Sequence, residues 1–203
     1  MEYTYKDLHG FFVGSFFGDG CFIKKSNTHN TYVCFKHCES QKSYLEWKYN
    51  FLKEFWFVKQ NSDIKKVKLS GCFDNAQNQY SFICKTSEYL NKFKTKSKIE
   101  LLNEIDEMAL SVFALDDGNF EGNTCKISCA RFTDEEREKF CSILKDKFNI
   151  HCRVYNNPNN DPIKDYFNIS KESFAILKEI ILSKIPNDID IIKNKMKVCE
   201  LSV

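Results

Sequence analysis

Residues 12–20 read FVGSFFGDG and residues 110–118 read LSVFALDDG. Each is an apolar run of helical character that stops on Asp-Gly, and Asp117 stands 98 residues after Asp19. A carboxylate at a helix C-terminus meets the negative end of the helix dipole, at a cost of several tenths of a kcal/mol. Paying it twice at matched positions points to a chain built from two halves. A repeat of about one hundred residues is too long for a solenoid and suits two fused units.

The text between the two runs supports that division. Residues 8–18 predict a helix stopped by Gly20 in a left-handed cap. Strands follow at 21–26 and 31–38, then a helix over 40–56 with Ser40 as N-cap. Strands at 64–73 and 79–86 flank the turn DNAQN, and a short helix near 87–95 leads into a Lys-rich linker. The second half repeats the order: a helix over 104–117, a strand TCKISCARF, and a helix over 133–148 opened by the capping box Thr133 and Glu136. Strands HCRVYNN and DYFNIS come next, then a helix over 171–183 after Ser170 and a final basic helix beyond Pro186. The expectation is an α+β fold of two αββαββα units, residues 1–98 and 99–203.

Several classes are excluded or disfavoured. No apolar run approaches the roughly 20 residues that span a bilayer, and MEYTYKDLHG lacks a basic leader. A soluble, intracellular protein is expected, with its ten cysteines reduced. Cys34/Cys38 and Cys125/Cys129 fall in strand-like text without any Cys-x-x-Cys, which favours packing over zinc. Net charge is only +2, but residues 1–100 carry 16 Lys against 10 acids, and 64–98 carry eight Lys against two. A basic face that meets phosphates is one reading of that run, a plain solvated face the other.

In the first motif Gly10, Gly14 and Gly18 lie four apart, on one helical face. Each costs about 1 kcal/mol relative to Ala in a helix, which close approach of another backbone would offset. The second motif offers Ala109, Ser111 and Ala114. Packed in parallel, the two helices would bring Asp19 and Asp117 out at one end. Such a hard oxygen pair suits Mg²⁺, with phosphate oxygens completing its shell.

On these residues the chain resembles the monomeric, two-motif LAGLIDADG homing endonucleases. The likeness runs through nearly the whole repeated order. The stretch CARFTDEEREKFCSILKDKFNIHCRVYNN, with FNIS and KIP beyond it, resembles the branch typified by the yeast mitochondrial omega-intron enzyme. The resemblance implies motif helices paired at a pseudo-twofold interface and two antiparallel sheets forming a saddle over double-stranded DNA. It implies a monomer that hydrolyses one phosphodiester on each strand of a long asymmetric target, leaving short 3′ overhangs. Asp19 and Asp117 would hold two or three Mg²⁺ ions, with Lys96 or Lys98 and Lys193 or Lys195 as active-site lysines. The motif's glycine position is Gly14 in one copy but Val112 in the other, and Asp116 adds an acid.

Strand alternation then selects groove-facing side chains. These are Ile23, Lys25 and Asn27; Tyr32 and Lys36; Lys66, Lys68 and Ser70; Lys126 and Ser128; and Arg153, Tyr155 and Asn157. The competing expectations are a non-cleaving nucleic-acid binder, such as an RNA splicing maturase or regulator, and a purely structural pseudo-dimer.

Overall fold

A computed structural model describes residues 2–59, 62–67, 78–157 and 165–196. Lys68, Ser70 and the outer part of the strand expected over 64–73 lie outside the described residues. The chain runs α1 (Tyr5–Phe17), β1 (Cys21–Ile23), β2 (Tyr32–Cys38), α2 (Lys42–Glu54), β3 (Lys65–Val67), β4 (Gln79–Ile83), α3 (Lys92–Thr95) and α4 (Lys98–Asn103). It continues through α5 (Glu107–Asp117), β5 (Gly118–Glu121), β6 (Thr124–Ser128), α6 (Asp134–Phe148), β7 (Cys152–Tyr155), β8 (Tyr166–Ile169), α7 (Lys171–Lys184) and α8 (Asp190–Met196). The strands form two four-stranded antiparallel sheets, ordered β1-β2-β4-β3 and β5-β6-β8-β7. The two sheets share one topology, the α+β duplication expected from the sequence.

By packing, the chain forms two compact units, Met1–Gly18 with Ser97–Asn187 and Ile192–Val203, and Asp19–Lys96 with Asp188–Ile191. The first contains α1, α5 and the sheet β5–β8. Its core joins Phe17, Phe113, Phe132, Phe140 and Phe167, whose ring centroids lie 4.5–6.3 Å apart. Each such buried ring contributes about 2–3 kcal/mol. The second unit holds the sheet β1–β4, with Val33 and Phe35 of β2 buried beside Tyr44, Leu45, Phe51 and Leu52 of α2. No helix among the described residues is long and apolar enough to cross a membrane.

The helix starts follow local chemistry. Thr4 and Asp7 form a capping box on α1, Ser97 and Glu100 on α4, and Thr133 and Glu136 on α6. Asp106 caps α5 and Ser170 caps α7. Four expectations are corrected. Ser40 is not a cap: it sits in a 3-10 turn over Glu39–Gln41, and α2 begins after Gln41 with no side-chain cap. Gly20 is not a left-handed stop, because α1 ends at Phe17 and Gly18 is its C-cap at φ −94°. The strand expected over TCKISCARF is shorter, because β6 ends at Ser128 rather than running to Phe132, and it pairs with a preceding strand β5 at Gly118–Glu121. Part of the Lys-rich linker is helical, because Ser97 and Glu100 supply a start signal there.

Helices α1 and α5 pack in parallel, since their contacts proceed in the same order along both, from Gly10 against Asp106 to Gly18 against Asp116. A Cβ on Gly10 would strike the Asp106 carboxylate. One on Gly14 would collide with the Ala109 carbonyl oxygen and lie 2.9 Å from Val112 Cβ, and one on Gly18 would lie 2.5 Å from Asp116 Cβ. Val112, which stands where the first motif has glycine, thus fills the space that Gly14 leaves open. Gly118 is also a packing glycine, because a Cβ there would strike the Ala114 carbonyl oxygen.

Candidate functional site

The C-terminal end of α5 concentrates charge. Asp116 is buried against Gly18, while the Asp117 side chain keeps 13% of its surface exposed, and Arg131 Nη2 lies 3.7 Å from its Oδ2. Lys195 Nζ donates to the carbonyl oxygens of Leu115 at 2.8 Å and Gly118 at 2.7 Å. An ammonium there offsets both the helix-dipole end and the two adjacent acids. Lys98 donates to the Arg131 carbonyl and lies 3.4 Å from Glu136. Lys195 therefore sits at the Asp117 end of α5, while Lys98 meets the backbone of Arg131, whose side chain reaches Asp117. Lys193 is exposed on α8, and Lys96 is exposed at the C-cap of α3.

In the other unit, Asp19 directly follows the α1 cap, with 34% of its side chain exposed. His37 Nδ1, on the core side of β2, lies 3.7 Å from Asp19 Oδ2 and 3.0 Å from Gln41 Oε1. Its Nε2 is 3.2 Å from Nζ of Lys48, which is completely buried on α2. Neither His37 nor Lys48 was expected from the sequence, nor was Arg131. The available signal was parity: His37 follows Val33 and Phe35 in steps of two, and Lys48 falls among the apolar positions of α2.

Each sheet buries one face and presents the other. On β6 to β8, register sets Lys126 opposite Asn168 and Asn168 opposite Arg153, while Ser128, Tyr166 and Tyr155 form the next row. Lys126, Ser128, Arg153 and Tyr155 therefore share one polar face, and the Tyr155 and Tyr166 rings stack at 4.7 Å. Lys126 is held by Glu121 at 2.8 Å on that face. Asn157 lies beyond the strand, its N–H donating to Asp165 Oδ1. On the other sheet Ile23 pairs with Tyr32, and Lys36 with Ser81, opposite the buried face that carries Val33, Phe35 and His37. Lys25 and Asn27 are exposed after β1. Lys25, Tyr32, Lys59, Lys65 and Lys85 line an open groove of about 740 Å³.

Lys66 departs from the expected face. It pairs with Tyr80, which pairs with His37, so it lies on the opposite side of the sheet from Lys36. Lys65, opposite Ser81, takes the face assigned to Lys66. The expected strand was placed one residue out of phase, and one step reverses every side chain.

Cys125 and Cys129 pack in the core, and burial pushes their thiols up to about 12 and about 11.

Two parallel small-residue helices with acidic ends, each leading into a sheet with a polar face, define a duplicated-motif α+β fold. The chain belongs to the LAGLIDADG DNA endonuclease family, whose model matches residues 9–177. The family is one of DNA endonucleases, hydrolases of the phosphodiester backbone. Among solved structures, the homing endonuclease I-WcaI bound to its DNA recognition sequence is similar at a TM-score of 0.78 and 18% identity, over 94% of this chain and 86% of that one. I-DmoI in complex with DNA and Mn is similar at a TM-score of 0.59 and 15% identity, over 89% and 98%. No curated protein sequence matches the chain.

Proposed function

We propose that this protein is a monomeric, Mg²⁺-dependent homing endonuclease that cuts both strands of a long asymmetric DNA target and leaves short 3′ overhangs. The observation that carries the reading is the parallel pairing of α1 and α5, in which Gly18 seats against Asp116 and each motif ends on its acid. Residues 1–98 and 99–203 are read as the two halves of the duplication, and the omega-intron branch as its nearest kin. An intracellular location follows the same reading.

Asp19 and Asp117 are the residues that would hold two or three divalent ions. Their chemistry fits, being carboxylate oxygens with part of each side chain open to solvent. A divalent ion supplies Lewis-acid chemistry, lowering the pKa of a coordinated water and offsetting phosphate charge. The protein's own groups do the rest. Arg131, 3.7 Å from Asp117 and largely exposed, is placed to meet a phosphate oxygen. Lys195 keeps positive charge beside the same helix end, and Lys98 lies against the Arg131 backbone. The polar sheet faces would enter the major groove as β-ribbons do, with Lys25, Tyr32, Lys36, Arg153 and Tyr155 as contacts.

The test is to incubate the protein with a randomised plasmid library in Mg²⁺ and sequence the ends. Discrete cuts at one consensus with short 3′ overhangs are expected. Binding without cutting would favour a maturase or regulator, and neither would favour a structural role.

Arg153 offers a sharper check on the polar face. An Arg on a β-ribbon donating to guanine O6 and N7 is worth about 1–3 kcal/mol of discrimination. Arg153→Ala should relax preference at one or two base pairs in the half-site read by β5–β8 and leave the other half-site unchanged. A cleavage profile over all single-base variants reads this out. A uniform loss across every variant would mean that Arg153 touches phosphate instead.

A further inference from the structure

We propose that Lys48 and His37 are positioning residues for the Asp19 carboxylate, forming a buried donor chain from α2 through β2 to the catalytic acid. This rests on the reading of Asp19 as a metal ligand.

Lys48 is fully buried on α2, where its neighbours Tyr44, Leu45, Phe51 and Leu52 are core side chains. Burying an ammonium is costly and persists where neighbouring groups compensate it. Aromatic faces and a ring nitrogen contribute to that compensation here. Lys48 Nζ sits 4.5 Å over the Tyr44 ring and 5.1 Å over the Phe35 ring, whose faces carry negative potential. The third side is His37 Nε2, at 3.2 Å.

A lysine ammonium has three donors and no acceptor. With Lys48 as the ammonium donor, Nε2 of His37 accepts, and a neutral ring then carries its proton on Nδ1. That N–H faces Gln41 Oε1 at 3.0 Å and Asp19 Oδ2 at 3.7 Å. The direction of the chain is thus set from its buried end, with Lys48 donating to His37 and His37 turned toward two oxygen acceptors. At 3.7 Å the approach to Asp19 is longer than a hydrogen bond and acts through the N–H dipole.

Two consequences follow. In that tautomer Nδ1 has no lone pair for a cation, so His37 would stand behind Asp19 rather than join the metal ligands. It instead biases which way the Asp19 carboxylate points, as outer groups do around other metal sites. An apolar pair at 37 and 48 would pack the same core without this bias.

The experiment uses the full-length protein and the target recovered from the plasmid library. Long-range ¹⁵N–¹H NMR of the metal-free protein should show His37 as the Nδ1–H tautomer, and Lys48→Met should shift it to a mixture. The Mg²⁺ midpoint for cleavage should rise about tenfold in Lys48→Met, in the range seen when outer groups of metal sites are removed. Target affinity in EDTA should stay within about twofold. Lys48→Met should add nothing in a His37→Leu background, and His37→Asn, which restores an N–H near the Nδ1 position, should recover the midpoint relative to His37→Leu.

A wild-type Nε2–H tautomer, or a Lys48→Met protein with an unchanged Mg²⁺ midpoint, overturns the proposal. If Lys48→Met does not fold, equal midpoints for His37→Asn and His37→Leu overturn it instead. Asp19→Asn separates the two levels: cutting at the wild-type rate defeats the metal reading itself, whereas an inactive Asp19→Asn beside a normal Lys48→Met defeats only the donor chain.

Discussion

Asp19→Asn and Asp117→Asn should each abolish double-strand cleavage in Mg²⁺ while the protein stays folded. Asparagine keeps the size of the side chain and removes the charge that holds the cation. Metal assistance to phosphoryl chemistry is worth several kcal/mol, and each 1.36 kcal/mol is tenfold in rate. A loss of about 4 kcal/mol therefore lowers the rate roughly a thousandfold. The fold should tolerate both changes, because neither acid is a core group. Asp19 has a third of its side chain exposed, and Asp117 meets Arg131, whose guanidinium is 69% exposed and finds water when its partner is neutralised. Plasmid linearisation and a thermal melt, run on the same preparations, check both halves of the statement. Either variant linearising target at the wild-type rate would sink the metal assignment.

The second large effect is on stability. Gly14→Ala should lower the melting temperature, although the same change in an unpartnered helix would raise stability by about 1 kcal/mol. The new methyl group would collide with the Ala109 carbonyl oxygen and press on Val112 Cβ at 2.9 Å. Overpacking a tight core costs about 1–3 kcal/mol. In a chain of this size each kcal/mol moves the midpoint by about 2–4 °C, so a fall of roughly 2–12 °C is expected. Adding Val112→Gly should recover only part of it, because the clash with the α5 backbone persists. A rise in midpoint for Gly14→Ala would show that α1 and α5 do not pack as closely as described.

Much of this was legible in the sequence because it is local or periodic. The Thr133–Glu136 capping box opens α6 and Ser170 opens α7, since a cap needs only residues three apart. The two Asp-Gly runs are helices for the same reason of composition, and their 98-residue spacing announces the duplication. Alternation correctly put Lys126, Ser128, Arg153 and Tyr155 on one face, because both strands are short and regular there.

Where the reading failed, a distant contact had decided. Lys66 was put on the face of Lys36, but strand phase comes from pairing with Tyr80, which no local pattern encodes. Ser40 looks like a cap and is none, because the chain takes a 3-10 turn before α2. The four-residue spacing marks Gly14 as a contact glycine, yet only tertiary structure shows that Val112 occupies its space. The choice among lysines was likewise invisible. Lys195 reaches the carbonyls of Leu115 and Gly118 across about eighty residues of chain, and Lys98 reaches the Arg131 carbonyl. The sequence by itself determined the two acids, the repeat and the helix boundaries set by caps, since these depend on neighbours in the chain. Only the tertiary structure decided which basic groups meet Asp117, and that His37 and a buried Lys48 stand behind Asp19. Those pairings join residues from different elements, and their geometry exists only once packing has fixed the backbones.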